Sequence, residues 1–241
     1  MNARPGILLR LWGVAATILS VLYTAILIFP ATLGAFFAHG HAASPVIRIW
    51  AWLALRTCGV RVELEGFENL DGLDAFVLVS NHQSIADILL GYLYIPRETR
   101  FVAKRELRKV PLIGFAMERA ENIVIDRQSG GQTIRRALEV VRHGYSICVF
   151  AEGHRYSDNR VHEFNDGGAW LAIKTGLPCV PMTISGTLAI MPRGARFVIP
   201  GRRVRITLGK PIPTAGLKSA DRTALTRELE QEVRAALHIF Q

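Results

Sequence analysis

The sequence predicts an α/β protein: a mostly parallel sheet covered by helices, with an N-terminal membrane-embedded helical segment. Three observations carry that prediction. Near its N-terminus the chain carries a long stretch, residues 11–47, that is largely apolar and uncharged. From about residue 60, short apolar runs alternate with segments of helical spacing, the pattern of parallel strands joined by helical crossovers. Four of those runs end in polar clusters, where open α/β sheets place their chemistry. The expected division is residues 1–59 as an anchoring helical segment and 60–241 as the α/β domain.

Residues 11–47 contain no Asp, Glu, Lys or Arg. Leu11 to Phe37 would extend about 40 Å as one helix, enough to cross a hydrocarbon core. The run is long for a signal-peptide core, and no small-residue cleavage site follows closely. Pro30 is expected to break or kink it, because proline lacks an N–H and clashes with the preceding turn. A second segment, Val46 to Gly59, mixes Trp50, Trp52, Arg48 and Arg56 with aliphatics, a composition suited to a membrane interface. Arg4 and Arg10 precede the apolar run, and a basic domain follows it. A single span would leave one basic side outside; a two-helix hairpin broken near Pro30 keeps both on the cytosolic face. The hairpin is the expectation, in a bacterial inner membrane with the functional face toward the cytoplasm. A buried core helix is the alternative, and it fits so long an apolar run poorly.

The remaining elements follow in order. Arg61 to Glu65 alternates and reads as an edge strand, and Ala75 to Ser80 as a buried one. Arg100 to Lys104, Asn122 to Asp126 and Tyr145 to Phe150 are further strands. A helix-like stretch interrupted by Pro111 runs to Ala120. Thr133 to Arg142 has helical spacing through Ile134, Leu138 and Val141. Trp170 to Thr175 reads as a helix stopped by Gly176. Val180 to Ile184 and Val204 to Leu208 close the set of strands. Ala220 to Phe240 reads as an amphipathic helix with Leu225, Leu229, Val233 and Leu237 on one face.

The 241 residues suffice for one full hydrophobic core plus an attachment segment, and half of them are hydrophobic. The net charge is +9 and the isoelectric point about 10.0, a surface that seeks polyanions. No nucleic-acid-binding motif is present, so anionic membrane lipid is the expected partner, and nucleic acid is not. Cys58, Cys148 and Cys179 are far apart and odd in number, which reads as buried reduced thiols. His39 and His41 flank a glycine with no third ligand type nearby, so no metal site is expected there.

The first polar cluster is Ser80-Asn81-His82-Gln83-Ser84-Ile85-Ala86-Asp87, between an apolar strand and the apolar Ile88-Leu89-Leu90. Ser84-x-x-Asp87 reads as a helix-capping box. The same residues suit chemistry on a hydroxyl. A neutral imidazole can accept a proton from an alcohol as it attacks, and a carboxylate on its other nitrogen fixes the tautomer. A separation of five does not put two side chains on one helix face. His82 therefore belongs in the turn and Asp87 in the first turn of the helix, where capping and catalysis are compatible. The other clusters are Lys104-Arg105-Glu106, Asp126-Arg127 and Ala151-Glu152-Gly153-His154-Arg155. In a parallel sheet all four fall on one edge. Lys104, Arg127 and Arg155 are the cations available to a phosphate, and surface charges or salt bridges are their plainer reading. No Gly-x-Ser-x-Gly elbow and no P-loop occurs, which argues against a serine hydrolase and a nucleotide phosphotransferase. Ser84 lies too close to His82 along the turn to serve as nucleophile.

These clusters resemble the blocks of the glycerolipid acyltransferase family, specifically the 1-acyl-sn-glycerol-3-phosphate acyltransferases. Asn81 to Asp87 is similar to the block Asn-His-x-x-x-x-Asp, and Ile123 to Arg127 to most of the second. Phe150 to Ser157 resembles Phe-Pro-Glu-Gly-Thr-Arg-Ser, and Val180-Pro181-Met182 the fourth. Lys104 to Leu107 and Gly209 to Pro213 also match, so the likeness runs from residue 80 to 213. The resemblance implies His82 as base and Asp87 as its partner, with Arg127, Glu152, Gly153 and Arg155 around the acceptor. It implies no cofactor, with acyl-CoA or acyl-carrier protein as thioester donor and a lysophospholipid as acceptor. The implied product is phosphatidic acid, by acylation of the sn-2 hydroxyl of lysophosphatidic acid. The departures are Glu121 for the usual Gly, Ala151 and His154 for Pro and Thr, and Asn165 and Asp166 for two lysines. Another lysolipid acceptor, such as a lyso-ornithine lipid, stays open, as do a non-catalytic lipid-binding protein and a thioester hydrolase.

Overall fold

The computed structural model describes residues 6–37, 43–106, 120–125, 130–192 and 194–240. Helix α1, Ile7–Phe37, continues through Pro30. The expected break there does not occur. Proline removes a single N–H from a ladder that the rest of this 31-residue helix completes, and that loss does not end the helix. Its first 25 residues, Ile7–Ala31, have a mean hydropathy of 2.1 and are almost wholly uncovered by the rest of the chain. By length and composition α1 can cross a membrane.

Helix α2, Ala43–Thr57, packs beside α1, and residues 38–42 rather than Pro30 separate the two. Trp50 Nε1 donates to Thr24 Oγ1 at 3.0 Å, and Trp12 Nε1 to the Thr57 carbonyl at 2.9 Å. The indole N–H groups thus find partners inside the pair, while Trp52 stays half exposed.

The sheet consists of β1 (Arg61–Glu65), β2 (Val77–Ser80), β3 (Thr99–Lys104), β4 (Ile123–Ile125), β5 (Ser146–Phe150), β6 (Cys179–Ser185) and β7 (Arg203–Leu208). Their order is β1-β7-β6-β2-β5-β3-β4. All neighbours are parallel except β6 and β7. Arg61–Glu65 is the edge strand its alternation predicts. Helix α3 (Ala86–Tyr94) follows β2, α4 (Gly130–Arg142) follows β4, α5 (Gly167–Thr175) follows β5, and α6 (Arg222–Ala235) comes last.

Strand side chains alternate between faces. Val77, Val79, Ile147 and Val149 pack with α4, α5 and α6. Leu78 and Cys148 face the other way, into a core with α3 and Leu55 of α2. On α4 the buried stripe is Thr133, Ala137 and Val140, one step round from the larger residues the spacing picks out. Close packing against the sheet favours the smaller side chains at its centre line. The three cysteines are free and buried. The helix expected before Ala120 falls at residues 107–119, outside the described residues, as do His39 and His41.

Candidate active site

Strands β6, β2, β5, β3 and β4 are adjacent and share one direction, so the segments after β2, β3 and β5 leave the same edge of the sheet. The turn after β2 is held first. Asn81 is buried, and its side chain makes two hydrogen bonds to the Ile184 backbone of β6: Nδ2 donates to the carbonyl and Oδ1 accepts from the N–H, each at 2.9 Å. Ser84 Oγ donates to the Met191 carbonyl at 3.1 Å.

His82 lies in this turn and Asp87 in the first turn of α3. Nδ1 of His82 and Oδ2 of Asp87 are 2.8 Å apart. The same oxygen accepts the backbone N–H groups of Gln83 and Ser84, both at 2.8 Å. Asp87 is fully buried. An oxygen already accepting two N–H groups requires a donor from its third partner, so Nδ1 carries the proton and Nε2 keeps the lone pair. One carboxylate therefore ties down the turn before the helix and orients the imidazole. The ring of His82 stacks on Phe150, with centroids 4.0 Å apart and planes within 13°. Phe101 backs Phe150 at 5.8 Å, and Tyr92 lies 4.6 Å from Phe101. The imidazole is thus pinned both by a hydrogen bond and by an aromatic wall.

Glu152 follows β5 and is buried, turned inward. Its carboxylate accepts the His82 N–H at 3.4 Å and the His162 N–H at 3.2 Å. Burial lifts its pKa from 4.5 to about 7, with the two amides pulling it back. Its placement braces the His82 turn. Gly153 has φ +68°, a left-handed turn that glycine adopts without a Cβ penalty, and this turn redirects the chain after β5. The loop beyond is stapled: Tyr156 stacks on His162 at 3.6 Å, and His162 Nε2 lies 2.8 Å from Asp158 Oδ1. That contact holds the Asp158 carboxyl below its usual pKa.

Lys104, at the end of β3, is exposed, and Arg155 is half-buried in the loop after β5. Among the described residues neither has a salt bridge or a side-chain hydrogen bond. Arg127 lies outside the described residues. Among those described, no three His, Cys, Asp or Glu side chains gather as a metal site would require. Sequence reasoning missed Asn81 and Phe150 as positioning groups. Asn81 acts across 103 positions of sequence, a separation that no local pattern reports.

A five-stranded parallel array with a His–Asp pair at its carboxyl edge defines a class of α/β site able to offer a general base. A family model described as Acyltransferase matches residues 61–185, and the chain belongs to that family. A 1-acyl-sn-glycerol-3-phosphate acyltransferase of Brassica napus is 34% identical over 171 residues, covering 69% of this chain and 49% of the relative. The human beta form is 30% identical over 186 residues, covering 75% and 66% respectively. The chain thus spans about half the length of the plant relative. The crystal structure of the 1-acyl-sn-glycerophosphate acyltransferase PlsC of Thermotoga maritima superposes with a TM-score of 0.77. It shares 25% identity, over 94% of this chain and 95% of that one.

The departures from the family pattern have physical readings. Glu121 has φ +58°, the conformation for which glycine is the unstrained residue. Ala151 donates its N–H to the Ser80 carbonyl at 2.9 Å, a bond that proline cannot make. Asn165 clips the Ala151 carbonyl at 2.9 Å beside Gly153. Asp166 turns to α6, where it accepts from Thr223 Oγ1 at 2.8 Å and Arg222 Nε at 3.3 Å.

Proposed function

We propose that this chain is a membrane-associated acyltransferase. It moves a fatty acyl group from acyl-CoA or acyl-carrier protein to the sn-2 hydroxyl of lysophosphatidic acid, giving phosphatidic acid. The His82–Asp87 pair, with Nε2 left as the lone-pair nitrogen, is the observation that carries the reading. The relatives' names support the acceptor.

His82 Nε2 takes the proton of the acceptor hydroxyl while that oxygen bonds to the thioester carbonyl carbon. Asp87 stabilises the imidazolium that forms. The tetrahedral intermediate collapses, the carbon–sulfur bond breaks, and the proton on Nε2 passes to the leaving thiolate. The ester and a free thiol result. Lys104 and Arg155, without a salt bridge among the described residues, hold the acceptor phosphate together with Arg127; guanidinium groups suit it through their forked donors. Glu152 and Gly153 lie around the acceptor and hold the turn that presents these groups. Helix α1 keeps the site at the bilayer that contains acceptor and product.

The test is acyl transfer by the purified protein in detergent, from each donor to lysophosphatidic acid, with His82→Ala alongside. Phosphatidic acid should form and fall by about 10²–10⁴-fold in the variant. Near wild-type turnover by a folded His82→Ala protein would overturn the mechanism. Asn165 beside Gly153, in place of a lysine, favours one further comparison, a lyso-ornithine lipid competing as acceptor. Preference for that lipid would overturn the choice of lysophosphatidic acid while keeping the chemistry.

A further inference from the structure

Between the first turns of α1 and the loop after β6 lies an open cleft of about 380 Å³, lined chiefly by Leu9, Arg10, Val14, Arg196, Phe197 and Val198. Its walls are fixed to each other. A Cβ at Gly13 would overlap the Val198 carbonyl, so only glycine lets the loop backbone lie on the helix there. Thr17 Oγ1 accepts the Val198 N–H at 3.1 Å and donates to the Gly13 carbonyl at 2.7 Å. Ile199 N–H bonds the Ile190 carbonyl at 2.7 Å, which closes the loop on itself.

Arg10 comes from the helix wall and Arg196 from the loop wall, and both are exposed. Among the described residues neither has a salt bridge or a side-chain hydrogen bond. The surface between them is apolar, with Phe197 49% exposed. The cleft opens beside the uncovered face of α1, where Ile7, Leu8 and Leu11 are 75%, 80% and 62% exposed. Two guanidinium groups without a partner among the described residues call for a phosphate. The apolar floor and the bare helix face call for hydrocarbon. A phospholipid supplies both in one molecule.

We propose that this cleft binds an anionic phospholipid of the membrane surface, its phosphate between Arg10 and Arg196 and its upper acyl chain along Phe197 and Val14. The site is separate from the acceptor site, since none of its residues belongs to the turn or clusters around His82. It also fixes sidedness. Arg10 precedes the apolar run and Arg196 lies in the α/β domain, so one headgroup between them puts both on the same bilayer face.

The test is partition of the full chain from detergent into vesicles of phosphatidylcholine, with and without phosphatidylglycerol, read without turnover. A failure of the proposed reaction leaves this measurement intact. The wild type should prefer the anionic vesicles, and each arginine lost should cost about fivefold of that preference. Arg10→Gln/Arg196→Gln should therefore lower it about 25-fold while partition into phosphatidylcholine holds. Arg135→Gln/Arg227→Gln removes the same charge from α4 and α6 on the other face of the sheet and should leave the preference unchanged. Phe197→Ser should weaken partition into both vesicle types. An undiminished preference in the Arg10/Arg196 variant overturns the proposal. So does an equal loss in the Arg135/Arg227 variant, which would mean diffuse attraction. Competition by millimolar glycerol phosphate would mark a site for free phosphate esters and overturn the lipid assignment.

Discussion

Replacing Asp87 with Asn exchanges one buried oxygen for an amide of the same shape. In the wild type Oδ2 accepts three hydrogen bonds of 2.8 Å, from His82 Nδ1 and the Gln83 and Ser84 amides. Bonds to a charged acceptor contribute about 1.5–3 kcal/mol each, and neutral ones about 0.5–1.5 kcal/mol. Losing the charge from all three should cost the fold about 3 kcal/mol. The cost to the reaction is of a different kind. If the amide oxygen keeps all three donors, no charge remains to stabilise the imidazolium. If the amide nitrogen turns toward His82, it selects the tautomer with a proton on Nε2, which removes the base. The corresponding change in a serine-protease triad costs about 10⁴ in kcat, or about 5 kcal/mol of barrier. The assay pairs denaturant unfolding in detergent with initial rates of phosphatidic acid formation at saturating donor and acceptor. The expected result is a stability loss of about 3 kcal/mol with kcat down by about 10³–10⁴ and KM little changed. A rate within about tenfold of wild type, together with the full stability loss, would refute the reasoning: Asp87 would then hold the turn alone.

Substitutions at two further positions test the surroundings. Because burial raises Glu152 from 4.5 to about 7, the folded chain binds more protons than the unfolded chain between those values. Its contribution to stability is full below about pH 4.5 and is lost as pH rises through about 7, a difference of up to about 3 kcal/mol. Glu152→Gln does not titrate, so the stability difference between wild type and variant should slope only in that window; parallel curves would count against it. Glu121→Gly should hold or raise stability by up to about 1 kcal/mol. It relieves the positive φ and gives up a 3.1 Å pair with His143, which is 41% exposed and worth little. Glu121→Ala should lose the pair and keep the strain, and a more stable Ala variant would reverse the argument.

The parts of this fold that were legible in the sequence are those decided locally. His82 and Asp87 are five residues apart across a strand–helix junction, and that spacing alone put one in the turn and the other in the helix. The apolar runs of β2 and β5 announced themselves because both of their faces are covered. What the sequence could not report depends on distance or on neighbours. Asn81 finds its partner in β6, and Phe150 reads as one more core aromatic until the His82 ring is seen lying on it. Pro30 reads as a break or kink in α1 because the rule is local, whereas the length of apolar helix on either side decides the outcome. Glu152 has the residue type of an acceptor ligand, and only the fold reveals its two backbone partners, the His82 and His162 amides.

The loop after β6 touches Ser84 through the Met191 carbonyl at one end and Thr17 of α1 through the Val198 amide at the other. Leu55 of α2 is part of the core beneath the sheet, and Arg48 bonds the Leu93 carbonyl of α3 at 2.9 Å. The hydrophobic helices are therefore not a detachable tether. A fragment cut after residue 59 would open the underside of the sheet and leave the loop that holds the His82 turn without its anchor on α1.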